Sequence, residues 1–254
     1  IVAINATCPT VTAFSGDYDG NSHTITVSGG NGGTVQYSID GGSTWSTTKP
    51  TRTAAGTTAI NIRVYADANH NTVTCSDSSI VIKKVAATLS CSNKTYNGSE
   101  QTACTCSGGT VGGEYKATNY RSTAYTASCT PDGNHTAPSD KTWTMSKKAA
   151  TITAKAQTVN YGTAISKTTS DVTTSGLVSG HSLTAITLTQ STTNYTTSGT
   201  ITPSAATIKS GSTDVTSNYN ISYVTGTLTI NKVAATLSCS NKTYNGSEQT
   251  ACTC

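Results

Sequence analysis

Residues Lys232–Cys254 read KVAATLSCSNKTYNGSEQTACTC, and Lys84–Cys106 read the same 23 letters without a substitution. A stretch of that length does not recur by chance, so an internal repeat organises the chain and outranks any domain count taken from length. The stretch breaks off in an alternating pattern of apolar and polar residues, the mark of a strand with one buried face. Strands that would complete a sheet are still to come at that point. The chain is therefore expected to be a window on a longer array, with Lys232 standing 148 residues after Lys84.

Two markers recur along the chain. A tyrosine turn appears at Tyr18-Asp19-Gly20, Tyr96-Asn97-Gly98, Tyr161-Gly162 and Tyr244-Asn245-Gly246, each read as the turn of a first hairpin. Near the end of each complete segment stands Asp67-Ala68-Asn69-His70, Asp132-Gly133-Asn134-His135 or Ser217-Asn218-Tyr219-Asn220. Its bland reading is an Asx-type turn leading into one last strand; its sharper reading is a site where His or Tyr stacks on a sugar. Lysine joints follow at Lys83-Lys84-Val85, Lys147-Lys148-Ala149 and Asn231-Lys232-Val233. They divide the chain into segments 1–83, 84–148, 149–231 and 232–254, the last being the start of a second copy of 84–148.

Composition fits small all-β units. Of 254 residues, 34% are hydrophobic and 11% charged, with one Met and one Phe, while Ser and Thr make up about a third. Thr, Val, Ile and Tyr favour strands, and Gly, Asn, Asp and Ser supply turns. Thr24-Ile25-Thr26-Val27, Ala150-Thr151-Ile152-Thr153 and Thr227-Leu228-Thr229-Ile230 alternate with a period of two. Short strands punctuated by Gly29-Gly30-Asn31-Gly32-Gly33, Asp40-Gly41-Gly42 and Ser107-Gly108-Gly109 read as β-sandwiches.

The net charge of +4 is scattered and makes no basic stripe interleaved with aromatics, which speaks against a nucleic-acid partner. No apolar run approaches the roughly 18 residues that cross a bilayer. No leader pattern opens the chain at IVAINATC; a leader is expected to have been removed or to lie outside the window.

Nine cysteines point to an oxidising, extracellular or cell-surface setting. The metal alternative is weak: Cys104-Thr105-Cys106 is not a C-x-x-C pair, and the nearest histidine, His135, stands alone. Cys8 and Cys75 form an even pair spanning the first segment. Cys91, Cys104, Cys106 and Cys129 allow three connectivities in the second. A hairpin centred on Asn97-Gly98 would set Cys91 opposite Cys104, leaving Cys106 for Cys129. Cys239, Cys252 and Cys254 are odd in number, so one partner is expected beyond the window.

The residues Tyr161-Gly162, Ser175-Gly176-Leu177-Val178-Ser179-Gly180-His181-Ser182-Leu183 and Asn218-Tyr219-Asn220-Ile221-Ser222-Tyr223-Val224-Thr225-Gly226-Thr227-Leu228-Thr229-Ile230 carry a family resemblance. Segment 149–231 resembles the MBG-type immunoglobulin-like module of bacterial surface adhesins, departing at His181, where the family usually has Asp, and in a Thr-rich middle. With Tyr18–His23 and Tyr37–Trp45, the first segment resembles another bacterial Ig-like repeat of large secreted and wall-attached proteins; 84–148 looks like a shorter, cysteine-bearing relative. The resemblance implies tandem Ig-like sandwiches set head to tail as a rod, in extracellular stalks and adhesins. It supplies no catalytic residue.

A search for chemistry returns little. There is no G-x-S-x-G elbow, H-E-x-x-H pair or phosphate loop; Ser28–Gly33 reads as a hairpin loop. Asp17-Tyr18-Asp19-Gly20-Asn21 lacks the distal Glu of a calcium loop and reads as a turn. Glu100, Glu114 and Glu248 are too few for paired-carboxylate glycosidase chemistry. Trp45 and Trp143 are expected in the core or covering an edge. No enzyme activity, cofactor or metal is expected. N-x-[ST] frames at Asn5, Asn93, Asn97, Asn134, Asn194, Asn220, Asn241 and Asn245 are glycosylation candidates, as are the O-linked runs Ser191–Thr193 and Thr196–Ser198.

The functional expectation is a non-catalytic stalk or filament on a prokaryotic surface. Joints without Gly or Pro would keep neighbouring domains from swinging, and domains of roughly 35–40 Å would give a repeat of roughly 70–80 Å. Its partners would be neighbouring domains of the same chain and like chains in a filament. The alternatives are an adhesin module for a host glycan, mucin or matrix protein, and a phage fibre.

Overall fold

The structure is a computed structural model and describes residues 2–254. It is all-β: among the described residues there is no α-helix, and two 3-10 turns, Thr169–Asp171 and Thr216–Asn218, interrupt the strands. Among the described residues no helix is long and apolar enough to cross a membrane. Two compact units form. One holds the chain up to Asn93 with Gln101–Ala117 and Thr123–Thr144; the other holds Lys94–Glu100, Thr118–Ser122 and Met145 onward. Segment 84–148 is divided between them because three of its stretches contact residues beyond 149.

In the first unit, Gly56–Ala66 pairs antiparallel with Gly33–Ser38 and with Ser78–Lys83. Its alternation is complete: Ile60, Ile62 and Val64 are buried, as are Ile80 and Ile82 on the neighbour, and they pack with Ile25 and Tyr37. Each such side chain contributes about 1.5–3 kcal/mol by leaving water. Cys8–Cys75 closes this core across 67 residues of sequence. In 84–148, Thr88–Cys91 pairs with Cys104–Ser107, and Gly109–Gly113, Tyr125–Pro131 and Lys141–Trp143 form a second sheet. Cys91–Cys104 joins directly opposed residues, and Cys106–Cys129 ties one sheet to the other.

In the second unit, Lys148–Ala154 lies between Val172–Ser175 and Tyr219–Val224. A five-stranded sheet is built from Gln157–Asn160, Gly226–Asn231, Thr196–Ser210, His181–Gln190 and Thr213–Asp214. Ile152 and Val172 from one sheet, with Leu188, Ile201, Leu228 and Ile230 from the other, close one core without a cysteine. Past Asn231, the short pair Ser238–Cys239 and Cys252–Thr253 carries the Cys239–Cys252 bridge, and Cys254 is free.

Two expectations change in detail. The tyrosine turns do not close simple hairpins. Outer strands pair antiparallel, as Thr10–Thr12 with Thr26–Ser28, but the residues next to the turn part company. Phe14–Asp17, Lys94–Thr95 and Gln157–Asn160 each run parallel to the final strand of their segment, at Asp17↔Lys83, Thr95↔Ser146 and Asn160↔Asn231. The Asn marker leads into more than one strand: three in each of the first two segments and two in the third. The first runs parallel to the start of the segment, at Ile4↔His70, Val85↔His135 and Lys148↔Tyr219. Parallel pairing lets the opening strand be shared between sheets, which a two-residue hairpin cannot do.

Candidate functional site: the joints between segments

The tyrosine turn and the Asn marker, read from sequence as separate features of each segment, meet in space. Both turns are locally made. Asp19 accepts from Asn21 N–H at 2.9 Å and from Asn21 Nδ2 at 3.2 Å, and lies 2.9 Å from His23 Nε2. The His23 hydrogen bond chiefly, then those of Asn21, holds the Asp19 carboxyl at a pKa of about 2. Asp67 and Asp132 each accept from the backbone two residues on at 2.8 Å and meet the ring of His70 or His135 at 2.6 Å. Those histidine contacts lead in lowering both carboxyl pKa values. The His135 ring also lies over Gly108, where a Cβ would sit 2.6 Å from it.

At the first joint, Tyr18 N–H donates to Lys83 O at 2.9 Å, fixing the turn against the end of the last strand. The Tyr18 ring meets His135 edge-on, centroids 5.5 Å apart. Asn134 Oδ1 accepts from Ala55 N–H at 2.9 Å. The loop that presents this N–H is wrapped around Arg52, whose guanidinium donates to the carbonyls of Ala54 at 2.7 Å and Ala55 at 2.8 Å.

The second joint repeats these contacts in other letters. Tyr96 N–H donates to Ser146 O at 2.9 Å, and its ring meets Tyr219 edge-on at 5.6 Å. Asn218, 3% exposed, accepts from Tyr120 N–H at 2.7 Å and donates to Asn119 Oδ1 at 3.1 Å. Burial, then the nearby Tyr219, raises the Tyr96 hydroxyl pKa, opposed by a hydrogen bond with Asn218. The Tyr219 hydroxyl accepts from Val178 N–H at 3.0 Å and lies 2.7 Å from His181 Nδ1. Lys147 Nζ sits over the Tyr120 ring at 4.7 Å. The arrangement holds each turn against the next segment through backbone hydrogen bonds and edge-on rings. The signal available in sequence was that both markers recur together, so that the turns at Tyr18 and Tyr96 each have a marker in the segment that follows.

The other sequence candidates lie apart. Trp143 is 1% exposed, stacks on Tyr125 at 4.5 Å and donates to Glu114 O at 2.7 Å. Trp45 is half-buried, donates to Gly42 O at 2.9 Å and is covered by Arg63 at 4.2 Å; with Tyr37, Ile39, Lys49 and Pro50 it lines a cavity of about 390 Å³. Beside it, Asp40 accepts from Ser38 and Thr44, which hold its carboxyl far below the usual range. Among the glycosylation frames, Asn134 is half-buried in the first joint, while Asn5, Asn93, Asn97, Asn194, Asn220, Asn241 and Asn245 are exposed. Among the described residues no group of His, Cys, Asp and Glu is placed to hold a metal.

No protein-family model matches the chain, and no curated protein matches it. Among solved structures, the chain is similar to the crystal structure of Drosophila N-cadherin EC1-4, at 11% identity, covering 86% of this chain and 72% of that one with a TM-score of 0.19.

Proposed function

We propose that this chain is a non-catalytic stalk or filament segment built from tandem immunoglobulin-like β-sandwich modules, set head to tail as a semi-rigid rod outside the cell. The observation that carries the reading is the repeated joint. Two successive joints use the same backbone bond from a turn tyrosine, the same edge-on ring contact and the same Asn-to-loop hydrogen bond, with His135 replaced by Tyr219 as the ring partner. A contact pattern repeated at successive joints is what a stiff junction between modules requires, and a flexible linker would not. Disulfides support an oxidising setting, and low charge with Thr-covered faces supports a surface that resists nonspecific adhesion. The partners in this reading are neighbouring modules and like chains.

Electron microscopy of native, unreduced material tests it. Thin threads with an axial repeat of roughly 70–80 Å per 148 residues are expected, from strands of about seven residues at about 3.3 Å each plus loops; compact particles would remove the reading. The adhesin alternative attaches to the Trp45 cavity, where an aromatic wall and Lys49 adjoin exposed Ile39. Binding on a glycan or mucin array, lost in Trp45→Ala, would favour it.

A further inference from the structure

Segment 149–231 repeats two contacts seen at the joints. Tyr161 N–H donates to Asn231 O at 2.9 Å, as Tyr18 does to Lys83 and Tyr96 to Ser146. Lys232 Nζ sits over the Tyr195 ring at 4.6 Å, as Lys147 does over Tyr120. Tyr195 thus occupies the loop position of Tyr120, the residue whose N–H is taken by Asn218. Yet Tyr161 is 54% exposed where Tyr96 is 2% exposed. Between this turn and this loop opens a cavity of about 470 Å³, lined by Tyr161, Gly162, Ala164, Gln190 and Thr193.

We infer that this cavity is a receptor for an Asp-x-Asn-His turn of the Asp132–His135 kind, supplied by a copy of segment 84–148. Its Asn Oδ1 accepts from the backbone of the 191–195 loop, and its His packs edge-on against Tyr161. The occupant is named by the sequence that follows the cavity: from Lys232 the chain repeats 84–106 letter for letter, and in the first copy that sequence belongs to the segment whose Asn134 and His135 fill the first joint. The cavity adjoins the turn of Tyr161, which is fixed to Asn231 as Tyr18 is to Lys83 and Tyr96 to Ser146, so the recognition chemistry inferred is that of the two joints: one amide-to-backbone hydrogen bond and one aromatic contact, steered by a turn that Asp132 holds closed.

The test lengthens the 254-residue chain by appending the letters of 107–148 after Cys254, and follows hydrogen exchange. Exchange in 161–164 and 190–195 is expected to slow by about tenfold relative to the original chain, and the slowing should vanish when the appended Asn and His are both replaced by Ala. Unchanged exchange, or slowing that survives the replacement, overturns the inference. Folding of the appended copy is read from protection of its counterpart of Tyr125–Pro131. Should it stay unfolded, the folded Asp67–His70 turn of a second chain serves as the probe: tethering normally supplies an effective concentration on the order of millimolar, so at millimolar chain the resonances of Tyr161, Gly162 and Thr193 should shift with concentration, and no longer do so in Asn69→Ala/His70→Ala. Resonances independent of concentration overturn it. The inference rests on the tandem-module reading, but the two fail separately. Threads in the microscope with an open cavity would remove the receptor alone; a protected cavity in compact particles would remove the stalk alone.

Discussion

Lys84–Cys106 and Lys232–Cys254 are the same sequence in two settings. Both form the same local register, Cys91 opposite Cys104 and Cys239 opposite Cys252, each pair closed by a disulfide. Burial divides them: Leu89 is 1% exposed and Leu237 67%, Tyr96 2% and Tyr244 89%. The first copy has strands to lie against and a joint to enter. Tyr96 meets Ser146 through its backbone and Tyr219 through its ring, contacts with no counterpart around Tyr244 among the described residues. Short-range pairing is therefore written into the 23 letters, and the core is not.

The widest separation between the copies is expected from their bridges. Replacing Cys91, Cys104, Cys106 and Cys129 with Ala removes two short closed loops at about 3 kcal/mol each, so denaturant unfolding should show a loss of about 6 kcal/mol. Cys239→Ala/Cys252→Ala should leave the unfolding of the residues up to Asn231 where it was. Next comes the side chain both copies share: Leu89→Ala should cost about 3 kcal/mol, and Leu237→Ala less than about 0.5 kcal/mol. Equal costs would mean that both copies bury this leucine in solution.

A smaller effect probes what covers Tyr96. Asn218→Ala strands the Tyr120 N–H and should cost about 1–3 kcal/mol, with faster hydrogen exchange at Tyr120 and no change around Tyr244. The smallest is in pH. The folded-state pKa of Asp132 is depressed, chiefly by His135, so its contribution is present above the ordinary carboxylate value near 3.8 and is lost as pH falls below it. Thermal unfolding followed down through that range should drop less steeply in Asp132→Asn; an identical acid limb would show that the turn does not depend on the charge.

The all-β character was legible because alternation is local: Ile60, Ile62 and Val64 occupy every second position and all face inward. The opposition of Cys91 and Cys104 was legible because the two are equidistant from Asn97-Gly98, although the residues next to that turn pair elsewhere. The use of the two markers was not legible. Tyr18 and His135, or Tyr96 and Tyr219, stand far apart in the chain, and nothing near either residue records that the other will be its neighbour. The parallel pairing of Phe14–Asp17 with the last strand was missed likewise, because a period of two is the same for parallel and antiparallel neighbours.

The sequence by itself determined where strands alternate, where turns fall and that Cys91 faces Cys104 across one of them, because these depend on residues close in the chain. Tertiary structure alone decided that a tyrosine turn in one segment closes on an asparagine marker in the next. Burial and docking are properties of two surfaces brought together, and a stretch of sequence describes only one of them.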